Sequence, residues 1–231
     1  MTCLERILTV FALASSSAFA QGSPDGETLL GAALRHRPHY DGSDRRTTDV
    51  VPVLRYSRGP LFARTTYGVL EGGARFAMAG GLSAGVQLAH EAGPRDGDAG
   101  ASAGAHLEWN TKVGPAPVHA LARLRSHLDS ERGVQLDARL TVGIHQSGGF
   151  RAGVFGQATW GSEKHLLAYY GVRDSGLLYT SLGLLGSYDL GRRWLAVASA
   201  ELRRLADEPA SSAFVQDRTN GYLTAGIAYR F

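Results

Sequence analysis

Cysteine is nearly absent from the sequence: Cys3 is the only one in 231 residues, so no intrachain disulfide framework and no thiolate metal cluster can hold the fold. Lysine is almost as scarce. Of the 24 basic residues only Lys112 and Lys164 are lysine. The arginines that make up the rest are scattered, never more than two together, and with no longer basic run the formal charge of +3 leaves no footprint for nucleic acid. There is also no apolar run near the ~20 residues that a bilayer-spanning helix needs. Glycine, by contrast, is abundant, at 30 residues, roughly twice the average usage. Each interior glycine costs a helix about 1 kcal/mol relative to alanine, which excludes a long helical bundle, and the lack of a period of three excludes collagen. Hydrophobic residues at 44% and charged residues at 19% exclude a disordered chain.

The first twenty residues read as a secretory leader. Arg6 supplies a small positive region, Ile7 to Ala14 is apolar apart from Thr9, and Ala18-Phe19-Ala20 ends the segment in an A-x-A pattern. Cleavage after Ala20 is expected, with export as its consequence, Cys3 lost with the leader, and residues 21–231 left as one domain.

Beyond Glu27 the chain alternates. From Val134 to Ile144 the even positions are apolar (Val134, Leu136, Ala138, Leu140, Val142, Ile144), while the odd ones include Gln135, Asp137, Arg139 and Thr141. Strict period two marks a strand with one apolar and one polar face. A run of this length exceeds the usual 5–6 residues or so of a soluble strand and suits the ~9–11 residues of a tilted membrane strand. Similar runs occur at Leu82–Leu88, Ala103–Trp109, Val118–Leu128, Phe150–Trp160, Trp194–Leu202 and Gly221–Phe231. A soluble sandwich would alternate too. The long strands, the leader, the missing disulfides and a final segment ending on Tyr229-Arg230-Phe231 favour an all-β fold, a transmembrane antiparallel up-and-down β-barrel, in which every strand N–H and C=O finds a partner.

Twelve strands are expected: Glu27–Arg37, Asp49–Ser57, Leu61–Ala77, Leu82–Glu91, Ser102–Asn110, Val118–Leu128, Val134–His145, Phe150–Trp160, His165–Val172, Leu177–Asp189, Trp194–Leu205 and Gly221–Phe231. The third needs a bulge near Gly68, because Arg64 and Thr66 share one parity whereas Glu71, Gly73 and Arg75 share the other. With both termini in the periplasm, Pro38–Thr48 and Ala206–Asn220 become outer loops. Ala92–Ala101 becomes the one extended periplasmic connection, and its Pro94, Arg95, Asp96 and Asp98 form a candidate partner-binding loop.

Over nearly the whole chain the order of features resembles the MltA-interacting protein family, MipA/OmpV. The residues that carry the resemblance are Pro38-His39-Tyr40-Asp41-Gly42-Ser43-Asp44 after the first strand, Val51-Pro52-Val53-Leu54-Arg55-Tyr56, Tyr169-Tyr170-Gly171-Val172, Leu202-Arg203-Arg204-Leu205-Ala206-Asp207 and the closing Tyr229-Arg230-Phe231. Two features depart from the family pattern: only Arg173-Asp174-Ser175-Gly176 follows the Y-Y-G-V motif, and Ser211-Ser212-Ala213 stands where relatives carry Ser-Pro. The resemblance implies a non-enzymatic protein of the Gram-negative outer membrane. It also implies a scaffold that joins a periplasmic lytic transglycosylase to a murein synthase; other members are described as adhesins or porin-like proteins. Lipid and the barrel-assembly machinery would be its general partners, with Tyr229 and Phe231 as the assembly signal. No partner-binding residue transfers from the family.

The polar faces hold few candidates for chemistry. His145 and Ser147 share a face without an acidic group to orient the histidine, so a hydrolase reading gives way to a polar strand end beside a Ser-Gly-Gly turn. Asp96 and Asp98 fall short of the 6–8 oxygens, roughly, that calcium takes. His106, His119, His127 and His145 sit on polar faces of separate strands without ligand spacing, so hydrogen bonding in the lumen outweighs metal binding. No cofactor is expected. Taken together, the inward positions Arg35, Arg55, Arg64, Arg75, Arg123, Arg125, Arg139, Arg151, Arg203 and Arg230 oppose Glu71, Glu108, Asp137 and Glu201, an excess of about six positive charges in the lumen. Two readings follow: an arginine–carboxylate plug, which twelve strands favour because the interior is narrow, and an anion-preferring water path.

Overall fold

The computed structural model describes residues 28–66, 68–91 and 99–231. The expected leader and the loop residues Pro94, Arg95, Asp96 and Asp98 lie outside the described residues. Twelve antiparallel strands close into one barrel. They are β1 (Leu29–Pro38), β2 (Arg46–Arg58), β3 (Leu61–Thr66), β4 (Val69–Ala77), β5 (Leu82–Glu91) and β6 (Gly100–Val113), followed by β7 (Ala116–His127), β8 (Val134–Ser147), β9 (Phe150–Gly161), β10 (Gly176–Asp189), β11 (Trp194–Leu205) and β12 (Thr219–Arg230). Each strand pairs with its sequence neighbours, and β1 pairs with β12 from Leu29↔Arg230 to His36↔Leu223, which abolishes free edges at the ends of the sheet.

The count of twelve agrees with the sequence pattern, although two strands do not. The segment Leu61–Ala77 is a hairpin, β3 and β4, reversing between Thr66 and Val69. Gly68 takes φ 84, a conformation that only glycine adopts without strain, and the change of parity between Arg64 and Glu71 is that of two strands whose residues face each other, Arg64↔Glu71. The expected strand His165–Val172 is instead a helix, α1 (Glu163–Tyr170), closed by Gly171 in the left-handed region. Its buried stripe His165, Leu166 and Tyr170 has helical rather than two-residue spacing. The two differences cancel in the count but invert every strand between them. Glu91 at the end of β5 and Gly100 at the start of β6 therefore lie at the end away from the termini, together with the β1–β2 and β11–β12 connections, whereas the sequence pattern expected these strand ends, with Ala92–Ala101, on the periplasmic side.

Alternation then decides which side chains face out. Val50, Leu88, Leu182 and Leu202 are mostly exposed, as are Val86, Leu34 and Leu223. A contiguous apolar exterior of this kind on a closed barrel is the surface that faces lipid. Exposed aromatics gather at the end that carries the termini: Tyr56, Phe76, Trp109, Tyr188, Trp194 and Phe231, in the manner of an interfacial girdle. Trp194 meets Tyr229 edge-on at 5.1 Å, and Tyr229 meets Phe231 at 4.9 Å. Inside, a small apolar cluster of Leu29, Leu195, Val197 and Ala228 fills this same end. At the other end Leu166 and Tyr170 of α1 join Leu178, Tyr179 and Leu205, and a single helical turn, α2 (Asp207–Ala210), follows β11. No helix among the described residues is long and apolar enough to cross a membrane.

Candidate functional site

The interior of the barrel is the place where polar chemistry collects. The even positions of β3 and β6 and the odd positions of β4, β5, β7 and β8 point inward, which brings six strands' worth of charged side chains to one level. Glu71 accepts Arg64 Nε at 2.6 Å, Arg123 Nη1 at 2.8 Å and the Thr66 hydroxyl at 2.8 Å. Asp137 accepts Arg123 through Nε at 3.0 Å and Nη2 at 2.9 Å, Arg125 Nη2 at 3.0 Å, Thr159 Oγ1 at 3.0 Å and Gln135 Nε2 at 3.1 Å. Glu108 is held by Arg64 at 2.6 Å and Arg75 at 3.1 Å, and Arg125 donates on to Glu91. The result is one alternating chain, Arg75–Glu108–Arg64–Glu71–Arg123–Asp137–Arg125–Glu91, with four charges of each sign. Burying an ion costs several kcal/mol unless it is paired and hydrogen-bonded, and this chain meets that condition by sharing every interior carboxylate between two guanidiniums.

Two smaller clusters continue the pattern. Arg203 binds Asp41 at 2.7 Å and Glu201 at 3.1 Å, and its guanidinium lies between the Tyr179 and Tyr222 rings at 4.0 and 4.3 Å. Burial alone would raise the Asp41 carboxyl, but the Arg203 guanidinium and the Tyr222 hydroxyl outweigh it and hold Asp41 below the usual carboxylate range. At the termini end Asp189 accepts Arg151 at 2.8 Å and Arg230 at 2.9 Å. Arg139 donates to Gln157 at 3.1 Å and stacks 3.4 Å from the centroid of Phe155. Arg55 faces inward on β2, and Arg35 rests over the Tyr222 ring at 5.4 Å.

All of the inward arginines expected from the sequence are therefore in the lumen, but the charge excess is smaller than expected. Periodicity missed four carboxylates, Asp41, Asp49, Glu91 and Asp189, and one arginine, Arg37, which pairs with Asp49 at 2.6 Å. With these included, the excess falls from about six to about three. Glu91 and Asp189 share the parity of the inward residues of β5 and β10 and could have been found by extending the alternation to the strand ends. Asp41 sits in a loop, where no period applies. His145 departs from expectation. A bulge between Gly143 and His145 pairs it with Ala152 on the outer face, so it is exposed and lies tilted against Phe150 at 5.4 Å, apart from the buried His106, His119 and His127. No group of three or more His, Cys, Asp or Glu among the described residues could hold a metal ion.

Above the ion-pair chain, at the end away from the termini, a vestibule of about 460 Å³ is lined by Arg35, Tyr40, Asp41, Arg125, His165 and Tyr169, among others. Helix α1 forms part of its wall: His165 stacks on Tyr169 at 4.2 Å and on His127 at 5.7 Å. Burial, with His127 beside it, pushes the His165 imidazole down to about 4, and burial pushes the Tyr169 hydroxyl up to about 12.

Comparison with known proteins agrees with this architecture. The family described as MltA-interacting protein MipA matches residues 30–231. None of the curated proteins matches the chain. Among solved structures, the COG4313 outer membrane channel from Pseudomonas putida F1 is similar with a TM-score of 0.59 at 12% identity, covering 94% of this chain and 99% of that one. The β domain of the Bordetella autotransporter BrkA is similar with a TM-score of 0.45 at 16% identity, covering 89% and 99%. At 12% identity the likeness to the channel is one of fold.

Proposed function

The chain belongs to the MltA-interacting protein MipA family, and from that premise we propose that it is a non-enzymatic outer-membrane barrel that scaffolds murein-remodelling enzymes at its periplasmic rim. The observation that carries this reading is the eight-residue ion-pair chain. It spends the interior of six strands on internal bonds rather than on a water path, which leaves the rims as the surfaces free to act.

The rim at the termini end has a distinct chemistry. Its turns carry Arg58, Lys112, Arg192 and Arg193, all exposed, while the nearby Asp189 is already bound by Arg151 and Arg230. A basic rim suits a partner with an acidic face and attracts it over about a Debye length, ~8 Å at physiological salt. The test is co-purification of a periplasmic lytic transglycosylase and a murein synthase with the intact barrel in detergent. Capture should be lost when Arg58, Lys112, Arg192 and Arg193 are changed together to Glu, with heat-modifiable migration unchanged. Equal capture by this variant would overturn the proposal. A second reading, a small-solute channel, draws on the vestibule of about 460 Å³. It requires measurable conductance of the same preparation in planar bilayers.

A further inference from the structure

One seam of the barrel wall is only partly laddered. Strand β2 is paired with β1 from Arg46 to Arg55, but its ladder to β3 covers only Arg55–Arg58 against Leu61–Arg64. In an antiparallel strand, successive residues turn their N–H and C=O groups to alternate sides. Half of the backbone groups from Arg46 to Leu54 therefore face away from β1 with no ladder partner on β3. Pro52 stands within this stretch. A proline cannot donate to a ladder and within sheets is confined to edges, so the local sequence matches an open seam. At membrane depth an open edge facing hydrocarbon is costly.

Behind the seam lies a cavity of about 80 Å³, bounded on the wall side by Pro52 and Thr65 and lined within by Ala33, Val53, Leu185 and Val197. Arg35 stands where this cavity meets the larger vestibule. It differs from the arginines of the ion-pair chain in making no ion pair among the described residues. Glu201, which borders the same cavity, is held by Arg203. The Arg35 guanidinium fits against Gly68, where a Cβ would fall 1.8 Å from Nη1.

An apolar chamber, one cation at its inner end and an opening toward lipid together define an amphiphile site. We infer that the seam between β2 and β3 is a lateral portal through which a single-chain lipid carboxylate places its head group on Arg35. The first carbons of its chain occupy the apolar cavity, and the remainder lies in the seam beside the outward-facing Val50.

The test uses the full barrel in phosphatidylcholine nanodiscs with decanoate, decanol and acetate as probes. Decanoate should bind about tenfold tighter than decanol, the scale of one hydrogen-bonded charge. Arg35→Gln should remove that preference, and acetate should compete only weakly. Equal binding of decanoate and decanol to the wild type would overturn the site, as would acetate competing as well as decanoate, which would reduce it to an anion site without a tail. If Arg35→Gln fails to insert, the wild-type preference decides alone. The portal is tested by Leu54→Cys with Thr65→Cys, the positions just beyond the last ladder pair. Oxidation should slow decanoate association about tenfold and reduction should restore it, whereas equal rates in both states would overturn the lateral route. None of these readouts depends on murein enzymes, so their failure leaves the scaffold reading untouched.

Discussion

Asp137 shows how much a single interior residue can carry. It receives Arg123, Arg125, Thr159 and Gln135 at 2.9 to 3.1 Å, so truncating it leaves each of two buried guanidiniums with one carboxylate instead of two, Arg123 with Glu71 and Arg125 with Glu91. Removing one partner of a buried pair costs about 3–5 kcal/mol. Asp137→Ala should therefore lower the urea midpoint of the barrel refolded in lipid vesicles by that amount of stability, and Asp137→Asn, which keeps the shape and some hydrogen bonds, by less. A midpoint unchanged in Asp137→Ala would mean that the chain does not stabilise the fold. On the outer face, Tyr229 and Phe231 belong to the aromatic girdle. Placing carboxylates in such a girdle opposes insertion. The double change Tyr229→Asp with Phe231→Asp should deplete folded protein from outer-membrane fractions, as read by heat-modifiable migration, and normal levels would refute their role in assembly.

At the scale of elements, α1 is the feature whose behaviour should depend on pH. His165 has an ordinary value of 6.5 and is pushed down to about 4 when the helix is docked, chiefly by burial. Undocking exposes an imidazole that binds a proton more readily. The docked state therefore loses stability as pH falls from about 6.5 toward 4 and is indifferent to pH above that window. His127, Glu91 and Arg125 face the same site and shape its field. Amide exchange over 163–170 should accelerate between pH 7 and pH 4.5 in the wild type. In His165→Gln the acceleration attributable to the imidazole should be absent, and an identical pH profile in the two proteins would remove His165 as the cause. In the sequence this segment reads as a weak strand, because Leu166, Ala168 and Tyr170 alternate by chance within an eight-residue helix. The hairpin of β3 and β4 reads as one bulged strand because its turn is so short that the flip in parity has two explanations.

For the whole molecule, the decisive quantity is whether ions cross. If the ion-pair chain fills the interior, wild-type protein inserted in planar bilayers should conduct little. Replacing residues 162–175 with a short Gly-Ser turn should widen the vestibule without opening the level of Glu71, Arg123 and Asp137. A large conductance in the wild type would favour the channel reading. In that case neutralising Arg123, Arg125 and Arg139 should shift selectivity toward cations, because charges lining a narrow path set the local ion concentration.

Period-two alternation by itself determined the strands, the outward apolar faces and nearly every inward arginine, because a strand's side chains have only two directions to take and lipid penalises the wrong one; strand length and the closing segment turned that pattern into a barrel. Short ordered motifs, not the alternation, carried the family resemblance. Local pattern cannot, however, count reversals: one reversal hidden between Thr66 and Val69 and one helix mistaken for a strand inverted the direction of every strand between them. Nor could it pair charges. Which carboxylate meets Arg64, Arg123 or Arg203 depends on register between strands up to 52 residues apart in sequence and, for Asp41, on a loop folding 162 residues back. The partial seam between β2 and β3 belongs to the same class of fact, since a ladder ends where two strands diverge in space, and only Pro52 hinted at it in the sequence.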